Sequence, residues 1–196
     1  MTSLNTAILR HLVVRLDVKD YVRIVHRAYK DSPLGMGFGK TRFSSPKDAF
    51  KLLYLAQDTR TAIAETIIRD RFQSKAKREL LEEEFDDFSI AAIRNGDPLV
   101  LVDLRREGAS LLGVSTDAVR ARAQRAGRIL SQELYDRTVL DGIVYMSRIT
   151  NRECVAVYDR SVSKLDADAP ALDLSRLRSL TADLAALQVT VVRTPP

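Results

Sequence analysis

The sequence holds one cysteine (Cys154), two histidines (His11 and His26) and no tryptophan. A single cysteine excludes an internal disulfide framework and any cysteine-rich zinc site. Two histidines outside any metal-binding motif leave few nitrogen ligands, so no metal is expected. An aromatic content of 6% offers little for stacking nucleobases. No apolar run approaches the ~20 residues of a membrane-spanning helix. The run Thr6-Ala7-Ile8-Leu9 is broken at once by Arg10 and His11, too short for a signal-peptide core. A cytoplasmic protein in a reducing compartment, with no membrane partner, is the expectation. Standard catalytic signatures are missing as well. There is no GxxxxGKS or GxxxxGKT loop and no GxSxG elbow, and Gly35-Met36-Gly37-Phe38-Gly39 does not fit GxGxxG.

What is present suits an ordinary globular domain spanning 1–196. Hydrophobic residues make up 45% and charged residues 29% of 196 positions. A chain of this length buries roughly 70% of the surface its unfolded form exposes, so it needs no staple. Lys and Arg number 31 against 26 acids, a net charge of +5. That excess favours an anionic partner: nucleic acid, a nucleotide phosphate or an acidic protein.

The pattern along the chain predicts mixed α+β structure. Tyr21–His26 is rich in β-branched residues and reads as a strand. The segment 31–40 carries three of the eight glycines at alternate positions, a loop able to reach positive φ or approach a ligand closely. Leu52–Ala56 reads as a buried strand, and Asp58 or Thr59 caps a helix over about 60–72. Residues 74–87 form a charge cluster, read as a solvated helix or connecting segment. Asn95-Gly96-Asp97-Pro98 between two apolar runs, 89–94 and 99–104, predicts a β-hairpin. Residues 116–137 read as a helix broken near Gly127, with Arg120, Arg122, Arg125, Arg128 and Arg137 making it the most basic region. Strands follow at 143–147 and 154–158, and a helix and strand close the chain at about 171–193.

Five polar residues interrupt these apolar runs. Arg23 lies inside the first strand and Arg42 closes the glycine loop. Tyr54 sits mid-strand. Glu65 lies among Ala62, Ile63, Ala64, Ile67 and Ile68, and Ser147 ends a strand. An ionised group among apolar neighbours needs a partner or a purpose. A buried Arg23–Glu65 ion pair, a core tyrosine and a surface Arg42 would account for them structurally. A functional cluster is the other account of them.

Ordered segments decide between these readings. They are Tyr21-Val22-Arg23-Ile24-Val25-His26, Gly39-Lys40-Thr41-Arg42-Phe43-Ser44-Ser45-Pro46, Leu53-Tyr54-Leu55-Ala56-Gln57-Asp58 and Ala62-Ile63-Ala64-Glu65-Thr66. Val102-Asp103-Leu104, Asp141-Gly142-Ile143-Val144-Tyr145-Met146-Ser147-Arg148 and Cys154-Val155-Ala156-Val157-Tyr158 follow. In this order, over about 20–160, the chain resembles the RES-domain family of bacterial toxins. The resemblance implies a compact mixed-sheet core like a shortened ADP-ribosyltransferase with flanking helices. It implies that NAD+ is bound and its nicotinamide–ribose bond cleaved. The ADP-ribose would pass to phosphate, to water or to a protein side chain, as in a mono-ADP-ribosyltransferase. Glu65, Arg23 and Ser147 would be catalytic, and Arg23, Arg42, Tyr54 and Ser147 would bind NAD+. Arginine suits the pyrophosphate, and a carboxylate suits an oxocarbenium-like transition state. A cognate antitoxin occluding the site in a hetero-oligomer is implied too, with no direct nucleic-acid partner. A nucleic-acid-binding protein or RNA-targeting toxin is the alternative, resting on the net charge and the 120–137 arginines.

Overall fold

The computed structural model describes residues 4–69, 71–72, 77–113 and 124–193. Short helix α1 (Thr6–His11) opens the described chain, capped by Asn5, whose Oδ1 accepts from the N–H of Ala7 at 3.0 Å and Ile8 at 3.2 Å. The main sheet contains β1 (Val13–Leu16), β2 (Tyr21–His26), β3 (Leu52–Ala56), β5 (Phe88–Asn95) and β6 (Leu99–Asp103). It is completed by β7 (Gly142–Met146), β8 (Glu153–Tyr158), β9 (Leu165–Ala167) and β10 (Leu172–Asp173). The order is β1-β6-β7-β8-β3-β2-β5-β10, with β9 also on β5. Only β6 and β7 run parallel in it. The α+β class with a mixed sheet and flanking helices is therefore the fold adopted.

The sheet separates two cores. One face of β2, β3 and β5 to β8 supplies Tyr21, Leu53, Ile93, Leu99, Val144 and Val155, all buried together. Strands from both ends of the order share this core, which requires the sheet to curl. The other face carries Ile24, Leu52, Ile143 and Tyr158. It is covered by α1, α2 (Thr59–Ile63), α4 (Gln124–Arg137) and α5 (Leu180–Ala186) through Leu9, Ile63, Leu134 and Leu184. A further short helix, α3, spans Gly108–Leu111.

Four expectations change. The strands flanking Asn95-Gly96 form, but as no hairpin: β7, β8, β3 and β2 lie between β5 and β6. The Asn95 side chain accepts from Val18 N–H and donates to Asp97 O, both at 2.9 Å, so it ties the β1–β2 connection down instead of closing a turn. In the charge cluster, residues 74–76 lie outside the described residues, and the described residues 77–87 form no solvated helix. They contain β4 (Glu79–Leu81) and a 3-10 turn (Glu82–Asp87), held by buried Leu80 and Phe85. β4 pairs in parallel with the last strand, β11 (Thr190–Val192). Helix α4 runs through Gly127, which is buried, without a break; Arg120 and Arg122 lie outside the described residues. The three loop glycines keep ordinary φ, and Gly113 is the positive-φ glycine among the described residues.

Candidate functional site

Strands β2 and β3 share a single registered pair, Val22 with Ala56. A cavity of about 280 Å³ lies between them. Its walls include Val22, Arg23 and Ile24 from β2 and Tyr54, Leu55 and Ala56 from β3. Glu65 and Arg69 come from the segment after α2, and Tyr145 and Cys154 from the neighbouring strand pair.

The Glu65 wall begins at Asp58, whose Oδ1 accepts the Thr61 N–H at 2.8 Å and starts α2. The helix does not continue to residue 72 as an α-helix. A single π-helical turn covers Ala64–Ile68, and the Arg69 N–H reaches Ala64 O at 2.8 Å. Such turns insert one extra residue and recur at functional sites. Glu65 Oε1 accepts from Ser147 Oγ at 2.7 Å, and Oε2 meets Arg69 Nη1 at 3.3 Å. Ser147 itself is 2% exposed. Its Oγ accepts the N–H groups of Ile149 at 3.2 Å and Thr150 at 3.3 Å, so its one hydroxyl hydrogen is directed to Glu65. The turn carrying Ser147 also docks on α2 through the hydroxyls of Thr150 and Thr61, 2.9 Å apart.

The opposite features are cationic. Arg42 is 5% exposed, and its Nη1 has no hydrogen-bond partner. Burial lowers its pKa; Tyr145 and Glu65 oppose that, while Arg148 and Arg69 add to it. The guanidinium stands 5.7 Å from the Tyr145 ring centroid. Arg42 is not among the cavity-lining residues; it stands next to Tyr145, which is. Arg23 donates from Nη2 to Gly35 O at 2.9 Å and likewise keeps a buried, unpartnered Nη1. Burial draws its pKa down to about 10. Tyr21 and Val25, two residues to either side, belong to the curled core, so the Arg23 side chain leaves β2 on that face. Tyr54 packs against the other core. Its hydroxyl is 2.6 Å from Thr41 Oγ1 and accepts from Phe43 N–H at 3.4 Å.

Arg42, Tyr54, Glu65 and Ser147 thus stand in one electrostatic neighbourhood; Arg23 also lines the cavity, but its side chain leaves on the other face of the sheet and has no charged partner among them. The ion pair that forms at Glu65 is with Arg69, not Arg23. Three wall residues escaped the sequence reading. Arg69 carries the only available signal, its i+4 spacing from Glu65. Tyr145 and Thr41 were visible only as members of matched segments. Burial raises the pKa of both Tyr145 and Cys154, so Cys154 is a neutral thiol rather than a nucleophile.

Chemically, the site offers a fixed carboxylate and two guanidiniums with spare buried donors. A buried charge without a partner is costly, and an anionic ligand would supply the partner. Among the described residues no group of three or more His, Cys, Asp and Glu side chains is placed to hold a metal ion. Among them, too, no helix is long and apolar enough to cross a membrane.

The chain is similar to known proteins in sequence and in fold. The family described as the RES domain matches residues 14–188. A protein named "Probable toxin y4kH" from Sinorhizobium fredii (strain NBRC 101917 / NGR234) is 34% identical over 93 residues, 46% of this chain and 73% of that protein. A chain in the crystal structure of the M. tuberculosis MbcT-MbcA toxin-antitoxin complex is similar in fold. Its TM-score is 0.61 at 13% identity, covering 86% of this chain and 95% of that one.

Proposed function

The chain belongs to the RES-domain family, and from that premise we propose that it is a toxin that binds NAD+ and cleaves the nicotinamide–ribose bond. The observation that carries this reading is the pairing of a preoriented Glu65 carboxylate with two buried, unpartnered guanidinium donors. The pyrophosphate of NAD+ is the anion those donors lack. The cavity is at the small end of ligand pockets, which span about 300–1,000 Å³. It suits the nicotinamide and its ribose, with the pyrophosphate toward Arg42 and Arg23. Tyr54, its hydroxyl already engaged, offers its ring face to the nicotinamide or ribose.

In the reaction the C1′–N bond breaks and its electron pair stays on the pyridine nitrogen, so nicotinamide leaves neutral. No general acid is needed for it. Positive charge grows on the ribose, and Glu65 stabilises it as carboxylates do in glycoside cleavage. Ser147 and Arg69 hold that carboxylate in one orientation. The acceptor then adds to C1′ and gives up its proton; phosphate, water and a protein side chain are the three acceptor classes. The resemblance to a toxin known in complex with an antitoxin supports a cognate antitoxin as partner.

The test is nicotinamide release from NAD+ followed by chromatography, with phosphate, with buffer alone and with cell lysate. Release in at least one condition, absent in Glu65→Gln, is expected. The product mass identifies the acceptor. For the alternative, nucleic-acid reading, Arg128 and Arg137 of the basic helix make intramolecular contacts, Arg125 is exposed, and Arg120 and Arg122 lie outside the described residues.

A further inference from the structure

Helix α4 carries the arginines whose role the sequence left open. Arg128 does not face solvent as a free cation. Its Nε donates to Ser44 O at 3.1 Å and its Nη2 to Ser45 O at 2.7 Å. One helical turn on, Gln132 Oε1 accepts from Ser45 Oγ at 2.7 Å. Two side chains of α4 therefore grip two consecutive residues of the loop. The same loop residues continue into the site. Ser44 Oγ donates to Thr41 O and accepts the Thr41 N–H, each at 3.0 Å. Thr41 Oγ1 holds the Tyr54 hydroxyl. Phe43, fully buried, packs edge-on against Tyr145 with centroids 5.1 Å apart. Arg42 lies between Thr41 and Phe43.

We propose that Arg128 is a positioning residue: it fixes the Thr41–Ser45 loop from α4, and through it the Thr41 and Tyr54 wall of the NAD+ site and the Arg42 guanidinium beside that wall. The inference rests on the reading of the cavity as an NAD+ site. A guanidinium is required because its planar fork spans two carbonyls at once, whereas an ammonium offers a single point charge. Arg42 addresses the pyrophosphate, the part of the substrate that keeps its charge through the reaction. Misplacing it weakens ground-state and transition-state binding alike, and that loss is read in KM. Glu65 and Ser147 sit on a separate wall and stay in register, so kcat is spared.

The experiment compares Arg128→Lys and Arg128→Gln with an Arg125→Gln control, an exposed arginine of the same helix. KM for NAD+ and kcat are measured by nicotinamide release, with a thermal melt of each protein. The expected result is a KM rise of about tenfold in R128Q and a smaller rise in R128K. Both should keep kcat within about twofold, and R125Q should match the wild type. A merely stabilising arginine would lower the melting temperature and the active fraction, reducing kcat at constant KM; that result overturns the proposal. An equal KM rise in R125Q overturns it too, since net charge rather than position would be acting. A wild type that releases nicotinamide while R128Q keeps its KM overturns this inference alone. A wild type that neither binds nor cleaves NAD+ overturns the NAD+ reading and this inference with it.

Discussion

Glu65 has both carboxylate oxygens engaged, one by Ser147 and one by Arg69, whereas Arg23 and Arg42 each keep a buried Nη1 with no partner. The carboxylate is finished by the protein itself. The guanidiniums are not, and burial lowers the pKa of both. A group that acts on a transition state benefits from being held still before substrate arrives. Groups that bind a ground-state anion keep donors free for it and tolerate the desolvation until then. The contrast separates the residue that would do the chemistry from those that would recognise the ligand.

The sharpest way to break this contrast is Glu65→Gln. It keeps the shape of the side chain and removes the charge. A loss of about 10²–10³-fold in kcat is expected, with NAD+ binding retained. Next is Arg42→Met. Removing a buried cation whose Nη1 has no hydrogen-bond partner should leave the melting temperature unchanged or raised. The same change should raise KM for NAD+ by about 10–100-fold, the worth of a charge-assisted hydrogen bond. A fall in both stability and affinity would mean that Arg42 is a structural cation and that the contrast is wrong. Ser147→Ala removes one of two grips on Glu65 and should cost up to about tenfold in kcat with little change in KM. The smallest effect concerns pH. Arg23 titrates at about 10 in the free protein. Below that value it is charged and attracts the pyrophosphate; above it the neutral form does not. Affinity for NAD+ measured by titration should therefore fall as pH rises past about 10.

Strands β2, β3, β7 and β8 were legible from their β-branched runs, and Asp58 from its place before an apolar helical pattern. These strands carry Arg23 and Tyr54 and lead into Ser147, whereas Arg42 lies in the loop between β2 and β3 and Glu65 on the turn after α2. Even the face from which Arg23 leaves its strand follows from alternation with Tyr21 and Val25. What escaped was non-local. The Asn95-Gly96 pair has the composition of a hairpin, yet its side chain is drawn to Val18, 77 positions away. Strand β4 is three residues long within a charged run, and it exists because β11 pairs with it from the far end of the chain. The π turn at Glu65 has no compositional signature, because it shifts a hydrogen bond by one residue without changing which residues are apolar. Arg128 could be read as a charge but not as a clamp, since its partners are backbone carbonyls.

The most direct test of the central claim is nicotinamide release from NAD+ by the purified wild type and Glu65→Gln, each with phosphate, with buffer alone and with lysate. The account predicts release by the wild type in at least one condition, and a loss of 10²-fold or more (about 10²–10³) in the variant while it still binds NAD+. No release by the wild type in any condition, or equal release by both proteins, would contradict it.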